Sequence, residues 1–288
     1  MKTSVKNIVL FPLNLLYRIS PKTTLKILFR TKSGYRLNLK NPTTFYEKIQ
    51  WIKLNYKNPA ITKLVDKYTV RSYIQEKAPE LLTTLYWSGF NAKDIPWDIL
   101  PQKFVIKVTH GSSFNIICKD KATLNKEKCV KQINRWLKEK YLRCYGEWFY
   151  GVEKPRIIIE EFLDTGTGKE PDDYKVFCFH GKAHFIIVDT DRYTNHKRNI
   201  YDRNWSLRKG VTINFPNDTP MPKPSELDQL LKYAELLSAE FPHVRVDLYI
   251  VKGKIYFGEL TFTHGAGFGR ISPREFDVEL GELLKLEK

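Results

Sequence analysis

Residues 244–263 constrain the fold more tightly than any other stretch. Val244–Val251 and Ile255–Thr263 alternate apolar and polar residues across Lys252-Gly253-Lys254, the period of half-buried strands joined in a hairpin. Val246, Leu248 and Ile250 share one face, and Arg245, Asp247 and Tyr249 the other. A three-residue loop Lys252–Lys254 sets Asp247 opposite Glu259 and Arg245 opposite Thr261. A two-residue turn at Lys252-Gly253 needs a bulge to restore that register. Opposed residues have Cβ atoms about 5 Å apart, so two carboxylates there repel unless a cation sits between them. A divalent metal with oxygen ligands meets that need; two solvated acids are the plainer alternative. Arg245, Thr261 and the segment HGAGFGR (His264–Arg270) crowd the same end.

The rest of the chain reads as α+β, antiparallel sheets with helices on their faces. Helices are expected at Thr43–Tyr56, capped by Thr43 or Thr44 with Glu47 at capping-box spacing from Thr44, at Pro59–Lys77, at Lys126–Tyr141 and at Leu227–Phe241. Strands are expected at Phe104–Thr109, Asn115–Cys118 and Arg156–Leu163, with a hairpin from Tyr174 to Val188 turning at His180–Ala183. Ser272-Pro273-Arg274-Glu275 reads as a capping box with proline at the first helical position. The Pro- and Asp-containing loop Asn91–Gln102 is the best internal boundary.

Two lysines lie inside apolar strands: Lys107 in FVIKVT and Lys175 in DYKVF. A lysine in that setting needs an anionic partner, a protein carboxylate or a ligand phosphate. His110-Gly111-Ser112-Ser113 follows Lys107 and offers amides and hydroxyls that suit phosphate. A Walker A loop is absent: the pair Gly168-Lys169 has Leu163 five residues before its glycine, where that loop needs another glycine. Glu160-Glu161-Phe162-Leu163 ends a buried-looking strand, where backbone groups and a glutamate can meet a purine edge.

Charge narrows the partners. Forty-eight Lys and Arg against 32 Asp and Glu give a formal net charge of +16, which favours an anionic partner. The four cysteines form no CxxC pair and no zinc spacing, so they read as reduced thiols of a cytoplasmic protein. Residues 1–30 are apolar and basic but too interrupted for a membrane span of about 20 apolar residues. They read either as a helix packed on the body or as a peripheral anchor on the inner membrane face, with Phe11, Leu15, Leu16 and Tyr17 flanked by lysines and arginines.

Taken in order, LVDKYTVRSYI (64–74), FVIKVTHGSSFN (104–115), IIIEEFL (157–163), DYKVFCFHGK (173–182) and RVDLYIVKGKIYFGELTFTHGAGFG (245–269) resemble the ATP-grasp superfamily, in its TupA-like branch of teichuronopeptide and capsular polysaccharide synthesis. The resemblance implies two α+β lobes clasping ATP behind a helical N-terminal segment: 1–103 mostly helical, 104–163 the small lobe and 164–288 the large lobe. It implies that Lys107 binds nucleotide phosphate under a loop of Gly111, Ser112 and Ser113, that Glu160, Glu161 and Leu163 meet adenine, and that Lys175 is a second phosphate lysine. Asp247 and Glu259 are then Mg2+ carboxylates, and Arg245 steadies the transferred phosphate. Thr261 stands where the family has a metal-binding Asn. Asp66 and Lys67 match a family motif without an assigned role. Arg192, Lys197, Arg198 and Arg270 are spare cations for an acceptor carboxylate or a solvated basic loop.

The implied reaction is amide formation between a uronic-acid-bearing polysaccharide, or its lipid-linked precursor, and an amino acid or small amine, through an acyl phosphate. An ATP-dependent phosphotransferase on a sugar or lipid-linked glycan ranks second. A non-catalytic basic binder of glycan or nucleic acid ranks third, since no nucleic-acid motif is present.

Overall fold

The structure, a computed structural model, describes residues 3–168, 170–190, 196–217 and 219–286, with side chains from residue 9 onward. In chain order the helices and strands are α1 (Thr3–Ile19), α2 (Pro21–Ser33), α3 (Phe45–Asn55), α4 (Ile61–Leu64), α5 (Val70–Lys77), β1 (Leu85–Gly89), β2 (Phe104–Val108), β3 (Asn115–Cys118), α6 (Lys126–Leu137), β4 (Ile157–Glu161), β5 (Asp173–Phe179), β6 (Lys182–Thr190), β7 (Lys197–Asp202), β8 (Thr212–Ile213), α7 (Leu227–Ser238), β9 (His243–Val251), β10 (Lys254–Thr261), β11 (Ile271–Ser272) and α8 (Arg274–Leu283).

The antiparallel sheets are β1-β4-β2-β3 and β10-β9-β5-β6-β7, with a small pair β8-β11. Alternation decides what each face does. In the first sheet Phe104, Ile106, Val108, Ile157 and Ile159 pack with Ile133 of α6 in one core, which leaves Lys107 and Glu160 for the other face. In the second sheet Val176, Ile186, Val246 and Leu248 pack with Leu230 and Leu237 of α7. Its opposite face packs Phe177, Phe179, Phe185 and Ile187 against Phe45 and Ile49 of α3 and Leu280 of α8. That same face carries the charged residues of the site.

The α+β class and the main hairpin register stand. Thr44 accepts the Glu47 amide while Glu47 accepts the Thr44 amide, so the α3 capping box is complete. The β9-β10 loop is the two-residue turn Lys252-Gly253, both residues at positive φ, and not the three-residue loop expected. A bulge at Gly258 then restores the pairing of Asp247 with Glu259 and Arg245 with Thr261. The β5-β6 turn likewise tightens to His180-Gly181.

Other expectations are corrected. The single helix Pro59–Lys77 is two helices, because Asp66 Oδ1 captures the Tyr68 and Thr69 amides and breaks the helical ladder. No capping box opens α8: Pro273 is itself the cap residue and Ser272 belongs to β11. Strands β1, β7, β8 and β11 are additions to the sequence reading. All four cysteines are buried. Among the described residues no helix is long and apolar enough to cross a membrane.

Candidate functional site

Two charged constellations converge. The first sits on the open face of the small sheet. Glu160, 5 % exposed, receives Lys107 and Arg71 at 2.7 Å each and a hydrogen bond from Thr83 Oγ1 at 3.1 Å. Burial works to raise the Glu160 pKa, but Lys107 and Arg71 overcome it and hold the carboxyl below its ordinary range. Lys107 and Glu160 thus pair across adjacent strands, and Arg71 enters from α5. The Gly111 carbonyl after β2 accepts from Lys67 Nζ at 2.9 Å, while Ser112 and Ser113 stay exposed. Ser113 adopts positive φ, which gives the loop a tight reversal. Glu161 Oε2 accepts the Thr84 amide, and Leu163 is half-buried beyond the strand.

The second constellation follows the register of the large sheet. Lys175 pairs with Asp247, and Asp247 pairs with Glu259. Lys175 Nζ contacts Asp173 and lies 3.4 Å from Asp189 and 3.8 Å from Asp247. Arg245 grips Asp247 with two bonds of 2.6 Å and reaches Glu259 at 3.2 Å. Such a two-pronged pair is the strong form of a charge-assisted bond. Burial raises the Asp247 pKa, opposed by Arg245 and Lys175. For Glu259 burial is outweighed by Lys67 and Arg245, and its pKa falls. Thr261 Oγ1 donates to Glu259 Oε1 at 3.2 Å.

Lys67 joins the two groups. It is half-buried, and its charge is felt by Glu259 on the large sheet and by Lys107 and Glu160 on the small one. Burial pulls its pKa down and the nearby Glu259 raises it.

Behind Arg245 lies a buried polar chain. Arg245 Nη1 meets His264 Nδ1 at 2.7 Å. Arginine only donates, so Nδ1 accepts and the neutral ring carries its proton on Nε2. Burial, then Arg245, keeps His264 well below its ordinary pKa. Its Nε2 has no partner among the described residues, nor does the hydroxyl of Tyr46, whose ring stacks at 6.4 Å and 12°. Tyr46 and Gly269 also line a cavity of about 510 Å3 between α2, α3, β11 and α8, with Arg270, Arg274 and Asp277.

The sequence-derived site residues Lys107, Gly111, Glu160, Lys175, Arg245, Asp247, Glu259 and Thr261 therefore gather around one region. Arg270 does not join them: its Nε donates to the Lys32 carbonyl at 3.1 Å, at the cavity. Arg198 is not a spare cation, because Asp189 holds it with bonds of 2.6 and 2.8 Å in the buried sheet. Arg192 lies outside the described residues, and Lys197 lies at the start of β7. The roles of Lys67, Arg71, Asp173, Asp189, His264 and Tyr46 escaped sequence reasoning. Only the DK pair of LVDKY offered a signal for Lys67.

Among the described residues no three His, Cys, Asp or Glu side chains gather as a metal cage. Mg2+ needs no such cage, since it is held by one or two carboxylates together with substrate phosphates. The hard oxygens of Asp247 and Glu259, adjacent across the bulge, fit that donor set.

A family model described as TupA-like ATPgrasp matches residues 47–285. No curated protein matches the chain. Among solved structures, an L-amino acid ligase from Bacillus licheniformis superposes with a TM-score of 0.48 at 17% identity, covering 77% of this chain and 49% of that one. A D-alanine–D-alanine ligase from Bacillus anthracis gives 0.43 at 16%, covering 69% and 57%. N5-carboxyaminoimidazole ribonucleotide synthetase from Thermus thermophilus gives 0.43 at 9%, covering 75% and 51%. The chain spans about half the length of these structures.

Proposed function

The chain belongs to the TupA-like ATP-grasp family, and from that premise we propose that it is an ATP- and Mg2+-dependent carboxylate–amine ligase. Lys107 and Lys67 hold the phosphates of ATP, with the amides of Gly111, Ser112 and Ser113 closing over them. The end of β4, from Glu160 to Leu163, supplies backbone groups for the adenine edge. The Glu160 carboxylate, already taken by three donors, positions Lys107. Asp247 and Glu259 would hold Mg2+, which when bound neutralises charge on the phosphates.

Phosphoryl transfer depends on positioned positive charge more than on covalent help. Arg245 and Lys175 supply it beside the two carboxylates. The γ-phosphoryl group passes from ATP to a carboxylate oxygen of the acceptor, leaving ADP and an acyl phosphate. An amine attacks the acyl carbon and loses a proton, inorganic phosphate leaves, and an amide remains. We assign the acceptor to a uronic-acid-bearing polysaccharide or its lipid-linked precursor, an anionic partner that the net charge of +16 favours, with an amino acid or small amine as donor.

The observation that carries this reading is Lys67, which binds the phosphate loop and lies within electrostatic reach of both Lys107 and Glu259. The test is calorimetry with ATP and Mg2+, followed by phosphate release with candidate acids and amines. ATP binding in the parent, lost in Lys107→Ala and Asp247→Ala, is the expected result. No binding at millimolar ATP overturns it. A phosphorylated sugar without a joined amine overturns the ligase assignment in favour of a kinase.

A further inference from the structure

The N-terminal helical hairpin has two outward faces that the nucleotide site does not use. The inner face of α1 packs Leu10, Leu13 and Tyr17 on the body, where Asn14 Oδ1 accepts the Cys144 amide at 2.9 Å. The inner face of α2 buries Leu25, Leu28 and Phe29 in the same core. Opposite these, at i, i+4 and i+8, α1 presents Phe11, Leu15 and Ile19, exposed by 59%, 45% and 83%. A helix already docked on one side has no internal reason for three large apolar side chains on the other. Along α2 the same spacing presents Lys22, Lys26 and Arg30, all exposed, with Ile27 beside them.

Charge selects the occupant. Residues 1–46 contain nine Lys and Arg and no Asp or Glu. An apolar ridge beside a cationic row, without an acid in the segment, matches the boundary of an anionic bilayer, where acyl chains take the apolar groups and headgroups take the cations. A second copy of the same face would bring like charges together.

We propose that the α1–α2 hairpin docks the protein on an anionic phospholipid surface, lying in the interface rather than crossing it. The surface is independent of the ATP reading above. It holds the enzyme at a membrane without using any residue of the nucleotide site.

The test is sedimentation of the full-length protein with vesicles of phosphatidylcholine and of phosphatidylcholine with 30% phosphatidylglycerol. Binding to the anionic vesicles only, weakening from low to high salt, is expected. Replacing Phe11, Leu15 and Ile19 together by Ser abolishes it. Replacing Lys22, Lys26 and Arg30 by Gln lowers it about a hundredfold, since each basic residue near such a surface contributes about fivefold. Thermal melting and ATP binding of both variants match the parent, because all six side chains are exposed. Equal binding to neutral vesicles, binding unchanged in the Ser variant, or no vesicle binding with concentration-dependent dimerisation through this face each overturn the proposal.

Discussion

Lys67 Nζ donates to the Gly111 carbonyl at 2.9 Å, tying the loop between α4 and α5 to the loop that follows β2. The loop that follows β2 is therefore held from outside its own sheet. A Lys67→Met variant keeps the apolar stem and removes the charge. Its ATP dissociation constant is expected to rise about ten- to hundredfold, the range of a lost charge-assisted bond. The melting temperature should stay within a few degrees. Calorimetry and thermal melting together check both halves.

Glu160 is the shared counter-charge of Lys107 and Arg71, so Glu160→Gln leaves two cations facing a neutral amide. The variant is expected to lose about 3 kcal/mol of stability at neutral pH, as when one partner of a buried pair is removed. Its pH profile carries a second signature. A carboxyl with a lowered folded pKa contributes stability above its ordinary value of 4.5, and that contribution disappears as the pH falls through its folded pKa. Urea unfolding between pH 3 and 7 should show a steep acid limb in the parent and a flatter one in the variant.

Gly258 makes the pairing of Asp247 with Glu259 possible. A Cβ there would lie 2.9 Å from the Asp247 carbonyl oxygen and 3.1 Å from Tyr249. Gly258→Ala must displace backbone at the bulge, at an expected loss of about 1–3 kcal/mol. ATP turnover should fall further than stability, because the shift moves Glu259 against Asp247. Melting curves set beside the Mg2+ dependence of phosphate release separate the two effects.

Asp277 works in the opposite sense to Glu160. Burial pushes its carboxyl up to about 6 from 3.8, against the Tyr46 amide that favours the ionised form. Between these values the folded protein holds a proton that the unfolded chain has released. Stability therefore declines as the pH rises from about 4 to 6. Asp277→Asn lacks that decline. Relative to the parent it should gain stability progressively up to about pH 6 and level off above it, as read by melting temperature across the range.

What the sequence made legible was local. The alternation around Lys252-Gly253 placed Asp247 and Glu259 together, and even the bulge was implied by a turn of two residues. Lys107 and Lys175 were visible because a charge in an apolar strand is conspicuous. Asp189 and Tyr46 were not, and His264 was visible only as a member of the HGAGFGR loop without a role, since their importance depends on pairing between strands remote in the chain and on which face α3 covers. The Asp66 break was hidden because an aspartate in a helical pattern looks unremarkable until its side chain captures an amide. Arg270 looked equivalent to Arg245 in charge, yet the chain turns after Gly269 and carries it into a different cavity.

The small sheet has a consequence for how the chain is made. Strand β1 touches only β4 within that sheet, and β4 is synthesised after β2, β3 and α6. On a ribosome feeding out the chain from its N-terminus, β1 waits with both edges unsatisfied until Ile157–Glu161 emerges. The last strand to arrive is also the one between β1 and β2, so the lobe closes by insertion rather than by growth at an edge. A chain begun after Gly89 would leave the Ile157–Ile159 edge bare, a ready template for pairing with another molecule.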